Sequence, residues 1–101
     1  MFCVIYEFTV SPEHEAEFND LWHKITQQIR ENSNGLGSRL HKEVNKPNLY
    51  LAYAQWPNKQ TWEEFAPLNV EHHAEQTKRM REICDNIAIA YQLEITDDLL
   101  S

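Results

Sequence analysis

The chain reads as a single α+β domain of the split βαβ, ferredoxin-like type: strand, helix, strand, strand, helix, strand, with helices on one face of a four-stranded antiparallel sheet. Three observations predict this. Both ends of the chain alternate with period two, over Phe2 to Val10 and Ile87 to Ile95. Between Phe18 and Ile29 the apolar residues instead follow helical spacing. In the middle, two strand-like runs flank the short turn Asn45-Lys46-Pro47-Asn48, which makes them an antiparallel hairpin.

In the first strand, Phe2, Val4, Tyr6, Phe8 and Val10 share one face, and Cys3, Ile5, Glu7 and Thr9 share the other. Apolar groups on both faces predict a central strand covered on both sides. Ser11-Pro12 reads as a helix start, with a capping hydroxyl and then proline at the first helical position. The helix is expected from Pro12 to about Glu31, carrying Phe18, Leu21, Trp22, Ile25 and Ile29 inward. Asn32-Ser33-Asn34-Gly35 should end it.

Leu36 to Val44 is the second strand; its charges Arg39, Lys42 and Glu43 suit a sheet edge. Leu49 to Trp56 is the third, stopped by Pro57. Asn58 can cap a short helix bearing Trp62 and Phe65, which Pro67 should close. Asn69 can cap a second helix. Its inward stripe is expected to hold Val70, His73, Ala74, Thr77, Met80, Arg81 and Cys84, and Asp85-Asn86 to break it. In the last strand, Ile87, Ile89, Tyr91, Leu93 and Ile95 should share one face. Residues 96–101 form an acidic tail to a core of residues 1–95.

Length and charge narrow the function. The chain has 101 residues, 16 acidic and 9 basic side chains and a net charge of −7. This disfavours nucleic acid and anionic membrane surfaces, which require basic faces. No apolar run approaches the roughly 20 residues of a bilayer span. The beginning of the chain, Met1 to Glu7, has no basic segment before its apolar run, so a cytoplasmic location is expected. Cys3 and Cys84 have no metal-ligand spacing and are expected as reduced, buried thiols. The five histidines show no metal-site spacing either, so no metal is expected.

The candidate site is built around residues 50–73, where an aromatic strand, a broken helix and a histidine meet. Tyr53, Trp22, Trp56, Trp62 and Phe65 are candidate walls for a flat aromatic ligand, with ordinary core as the plain alternative. His73 is the candidate general base, because its ordinary pKa lies near neutrality; the alternative is a packed residue at a helix start. Arg39 and His41 share a strand face that suits an oxyanion, or is simply solvated. Glu7, a carboxylate on a central strand, either pairs with Arg39 or sits in the pocket.

The strand ending in Trp56, the link Pro57-Asn58-Lys59-Gln60, the helix Thr61 to Phe65 and the pair His72-His73 together resemble the antibiotic biosynthesis monooxygenase domain. That family belongs to the dimeric α/β-barrel superfamily, and the likeness covers nearly the whole chain. Apolar groups on both faces of the strands predict a two-fold homodimer packed sheet to sheet, and the resemblance implies a pocket between sheet and helices in each subunit. It also implies a cofactor-independent oxygenase acting on a quinol-like or polyphenolic aromatic. His73 falls near the histidine that the family often places early in its second helix. Haem-degrading relatives carry tryptophan near Phe65 and asparagine near Glu7, and their histidine aligns closer to Glu75. Two alternatives stand beside the oxygenase: a non-catalytic ligand-binding or interaction module, and a haem-handling protein for which His73 would be the axial candidate.

Overall fold

A computed structural model describes residues 1–32, 35–66 and 74–100. Along the chain run β1 (Phe2–Val10), a 3-10 turn (Pro12–His14), α1 (Glu15–Asn32), β2 (Gly37–Lys42), β3 (Leu49–Trp56), α2 (Lys59–Phe65), α3 (Ala74–Ile83) and β4 (Cys84–Glu94). The strands form one sheet in the order β2-β3-β1-β4, antiparallel throughout. This is the expected α+β arrangement, with β1 and β3 central and β2 at an edge.

Alternation along the two central strands decides what is buried. Val4, Tyr6, Phe8 and Val10 of β1 and Tyr50, Ala52, Ala54 and Trp56 of β3 face the helices and are buried. They join Phe18, Leu21 and Ile25 of α1, Trp62 of α2, and Met80 and Ile83 of α3 in one core. Phe18 is fully buried, its ring 5.1 Å from Phe8 and 5.0 Å from Tyr50, so one α1 side chain ties two strands to the helix layer. Two polar links add to this at the surface. The Glu15 carboxylate accepts from Lys42 Nζ at 2.6 Å and from the Tyr50 hydroxyl, joining the first turn of α1 to β2 and β3. Arg79 of α3 donates twice to Glu17 of α1, at 2.7 and 2.9 Å, in a bidentate pair.

Several local expectations are corrected. Pro12 opens a 3-10 turn before the α-helix, and Ser11 makes no side-chain cap. Its hydroxyl instead donates to Asp85 of β4 at 3.1 Å, tying the end of β1 to its neighbouring strand. β2 is shorter than Leu36 to Val44; both of those residues are exposed. Cys84 belongs to β4, not to the preceding helix, and Asp85-Asn86 continue the strand instead of breaking it. Ile83 fills the core position at the helix end, while Arg81, expected inward, is exposed.

The largest correction concerns the faces of β4. Tyr6 pairs with Ile89 but Ile5 pairs with Tyr91, so one extra residue, Ala90, stands in β4. Such a bulge reverses the alternation beyond it. Ile87 and Ile89 therefore lie opposite Phe8 and Tyr6 on the helix side, whereas Tyr91 and Leu93 lie opposite Ile5 and Cys3 on the other side. The face away from the helices thus gathers Ile5, Leu51, Tyr53, Tyr91 and Leu93, with Tyr91 62 % and Leu93 40 % exposed.

Asn58 caps α2 as its sequence position predicts: its Oδ1 accepts from the Thr61 N–H at 2.8 Å and from the Thr61 hydroxyl at 2.9 Å. The expected stop at Pro67, the cap at Asn69 and the placement of Val70, His72 and His73 fall outside the described residues, as do Ser33 and Asn34.

Phe18 is the residue through which sheet and helix layer interlock. Phe18→Ala is expected to lower the free energy of unfolding by about 3–5 kcal/mol, read from urea denaturation with an unchanged slope. A loss under about 1 kcal/mol would mean that the helix layer is held elsewhere.

Candidate functional site

Between the sheet and the helix layer lies a cavity of about 60 Å³. Its existence follows from side-chain size. Along the helix-facing side of β3, the large residues Tyr50 and Trp56 bracket two alanines, Ala52 and Ala54, and the space above those small side chains is left over. α1 closes it with Trp22, Ile25 and Ile29, which recur at helical spacing. Tyr6 and Phe8 of β1 and Thr77 and Met80 of α3 complete the walls. Arg30, also in the lining, is exposed and marks the side on which the cavity meets solvent.

Gly35 forms part of this rim. A Cβ there would stand 2.5 Å from Ile29 Cγ2 and 3.4 Å from the Trp56 ring, so the chain passes close enough to admit only glycine. Gly37 follows with φ +117°, a conformation that a side chain strains.

Thr26, Arg30, Ser38 and Gln55 also line the cavity, but its buried polar side chains are those of Tyr6, Trp56 and Thr77. Trp62 Nε1, an obligate donor, donates to the Tyr6 hydroxyl at 2.7 Å. The Tyr6 oxygen is thereby used as an acceptor, and its own proton is directed elsewhere. Burial holds the Tyr6 phenol above its ordinary pKa of 10.0, with the Trp62 bond opposing. Trp56 Nε1 and Thr77 Oγ1 are buried and have no hydrogen-bond partner among the described residues.

The residues singled out in the sequence divide between the two sides of the sheet. Trp62 is buried on the helix side, its ring 5.5 Å from Phe2, and reaches the cavity through Tyr6. Phe65 is half-buried and packs against the same core. Tyr53, Glu7 and Arg39 are on the opposite face: Tyr53 lies between Ile5 and Arg39, and Glu7 beside Leu51. None of these five residues lines the cavity itself. Glu7 and Arg39 stand on different cross-strand rows with β3 between their strands, and among the described residues they form no ion pair with each other.

Tyr53 has a different role there. Its hydroxyl lies 3.0 Å from the buried Cys3 thiol and accepts from Gln55 Nε2 at 3.3 Å. The hydrogen bond to Cys3 is the chief cause holding the Tyr53 phenol above its ordinary value. Both cysteines are free thiols. Half-burial pushes Cys84 up to about 11, with the Asp85 charge adding to the shift.

Tyr6 and Thr77 are the site residues that sequence reasoning did not single out for chemistry. Thr77 left a trace, as the one hydroxyl on the expected inward stripe of its helix. Tyr6 left none, because a strand tyrosine between Val4 and Phe8 reads as core. The two alanines at alternate positions of β3 were the remaining clue to a cavity.

The sequence matches a known family. The sequence profile of antibiotic biosynthesis monooxygenases matches residues 1–75. The chain belongs to the antibiotic biosynthesis monooxygenase family. Solved structures agree on the fold. The cofactor-independent oxygenase SnoaB from Streptomyces nogalater superposes with a TM-score of 0.81 at 17 % identity, over 99 % of this chain and 97 % of that one. A Deinococcus radiodurans protein provisionally named an antibiotic biosynthesis monooxygenase gives 0.79 at 17 %, over 100 % and 98 %. A Mycobacterium tuberculosis protein gives 0.76 at 13 %, over 98 % of each chain. Among curated proteins none matches the chain. Among the described residues no helix of this family member is long and apolar enough to cross a membrane.

The titratable groups of this antibiotic biosynthesis monooxygenase domain set its alkaline limit. Tyr6, Tyr50 and Cys84 are all held above their ordinary values, chiefly by burial. The folded state therefore keeps protons that the unfolded state releases. That stabilisation is complete below the unfolded values of 9.0 for Cys84 and 10.0 for the tyrosines, and is lost as pH rises through the folded values. Urea midpoints are expected to hold steady from neutrality to pH 9.0 and to fall above it. Tyr6→Phe and Cys84→Ala should each flatten that fall, and an equal fall in both variants would contradict the assignment.

Proposed function

We propose that this domain is a cofactor-independent monooxygenase of a quinol-like or polyphenolic aromatic, binding it between the sheet and the helices. The observation that carries the reading is the apolar, aromatic-walled cavity at that place in a chain of this family. A ring entering there would lie beside the β3 alanines and Trp22, between otherwise apolar walls, and would widen the space as it entered.

The chemistry requires a phenol to lose its proton. A phenolate passes one electron to oxygen more readily than a phenol does. Superoxide and the ring radical then combine at carbon, and loss of water from the hydroperoxide leaves a carbonyl. One oxygen atom enters the product and the other leaves as water, with all electrons drawn from the substrate. His73, which precedes α3 in sequence, is the proposed base; this assignment rests on its sequence position and on the family resemblance. Trp62 and Phe65 are proposed to support the ring from the helix side, Trp62 by holding the Tyr6 hydroxyl.

One observation favours a second reading, a ligand-binding module without chemistry. Among the described residues of the lining, the titratable side chains are Tyr6 and Arg30, neither of which is a base at neutral pH. The haem-handling reading has no comparable observation in its favour.

The domain is further proposed to act as a cytoplasmic homodimer, packed through the face that carries Ile5, Leu51, Tyr53, Tyr91 and Leu93. In that assembly Tyr53, Glu7 and Arg39 meet the partner subunit or border a site between the two copies. Exposed apolar area of this kind is characteristic of association surfaces. Light scattering at micromolar concentration should return twice the mass of 12.0 kDa, and Tyr91→Glu should shift it toward the monomer. A monomeric mass for the unaltered chain would refute the dimer.

Oxygen uptake over a panel of quinols and polycyclic phenols, without added metal or flavin, tests the activity. His73→Ala is expected to lower turnover by about 100-fold or more if His73 is the base. Uptake independent of the protein would remove the oxygenase reading, and undiminished turnover in His73→Ala would remove that residue from the mechanism.

A further inference from the structure

The apolar cavity adjoins a longer feature on the surface. Trp22, Thr26, Arg30 and Ser38 line the cavity, and the same four residues line a cleft of about 540 Å³ between α1 and β2. That cleft shares Trp22, His23 and Ser38 with a second one, of about 550 Å³, which follows β2 past Arg39, His41 and Lys42. A groove therefore runs along the α1–β2 seam and borders the cavity at its solvent side.

The charge of this groove runs against that of the chain. Acidic side chains outnumber basic ones by 16 to 9 overall. Along the groove, Arg30, Arg39 and Lys42 stand with Glu15 and Glu31, and His23 and His41 lie beside them. Both acids are already engaged. Glu15 accepts from Lys42 and Tyr50, and Glu31 accepts from Gln27 Nε2 at 3.2 Å. Among the described residues no carboxylate pairs with Arg30 or Arg39. The groove is thus net positive on an acidic molecule, which favours an anionic ligand there.

Arg30 belongs to both compartments. It lies in the last turn of α1, and its stem rests over Gly37 at the start of β2: Cδ and Nε are each 3.9 Å from where a Gly37 Cβ would stand. The side chain as a whole is exposed, so the stem covers the rim while the charge stays in water. A guanidinium is always charged, and its fork matches a carboxylate in a bidentate pair. Glu31 in the same cleft disfavours a doubly charged group, which selects a carboxylate over a phosphate monoester.

We infer that the groove receives the carboxylate arm of an aromatic acid whose ring enters the cavity, with Arg30 as the residue that distinguishes the acid from its neutral analogue. This deepens the proposed function and rests on its choice of the cavity as the ligand site, but it does not rest on oxygen chemistry.

The test uses 1-naphthylacetate and 1-naphthylacetamide, alike in ring and shape and different by one charge. Both are titrated into the intact protein at neutral pH and read by calorimetry. The unaltered chain is expected to bind the acid about threefold to tenfold more tightly, and to lose most of that preference in high salt. Arg30→Gln should abolish the preference while holding the amide within about twofold. Arg30→Lys should restore part of it, because the charge returns without the fork. Arg39→Gln removes an equal charge farther along the groove and should leave most of the preference in place. Arg30 is exposed, so its variants are expected to fold, and thermal denaturation establishes this. Equal losses in Arg30→Gln and Arg39→Gln would reduce the preference to a general field and overturn the role of Arg30. A preference unchanged in Arg30→Gln would do the same. The absence of any preference in the unaltered chain, including no binding of either probe, would overturn the inference whole. Oxygen uptake with neutral quinols is read separately: its absence defeats only the oxygenase reading, and equal binding of acid and amide defeats only this one.

Discussion

β1 lies between β3 and β4 and pairs with both, so its alternation governs the molecule. Val4, Tyr6, Phe8 and Val10 must all point one way, and there they meet α1, α2 and α3. Burial of these side chains is the dominant favourable term, at roughly 1.5–3 kcal/mol for each large apolar group before ordering costs. β3 repeats the pattern beside it, but with alanine at two helix-facing positions. The cavity is the geometric remainder of that substitution of small for large within an otherwise tight core. Its polar groups then follow from which neighbours those same strands and α3 bring to its edge.

The bulge at Ala90 has consequences of a different kind. Without it, Tyr91 and Leu93 would fall on the helix side with Ile87 and Ile89. With it, the edge strand divides its apolar residues between the two faces, and Tyr91 and Leu93 join Ile5, Leu51 and Tyr53 away from the helices. One inserted residue thereby puts Ile87 and Ile89 on the helix side and Tyr91 and Leu93 on the other. The same face carries Tyr53, whose hydroxyl lies against the buried Cys3 thiol.

Hydrogen bonding inside the core is arranged around obligate donors. Trp62 spends its N–H on the Tyr6 oxygen, which fixes how that hydroxyl is used. Trp56 has no such partner among the described residues, and neither has the Thr77 hydroxyl.

Element order, the edge position of β2, the bounds of β3 and the Asn58 cap were legible in the chain itself. Each depends on local physics: period two or 3.6 in hydrophobicity, proline stops, and side chains that bond their own backbone. The family resemblance was legible too, because it rests on a short contiguous stretch. Long-range geometry decided the rest. The sequence places Tyr53, Trp62 and Phe65 within 13 residues, yet a strand residue and a helix residue that are close in sequence reached opposite sides of one sheet. The β4 faces escaped because a bulge is defined by the partner strand and not by its own residues. Tyr6 and Thr77, 71 positions apart, share a cavity wall only because β1 and α3 pack across the core, which no local pattern encodes.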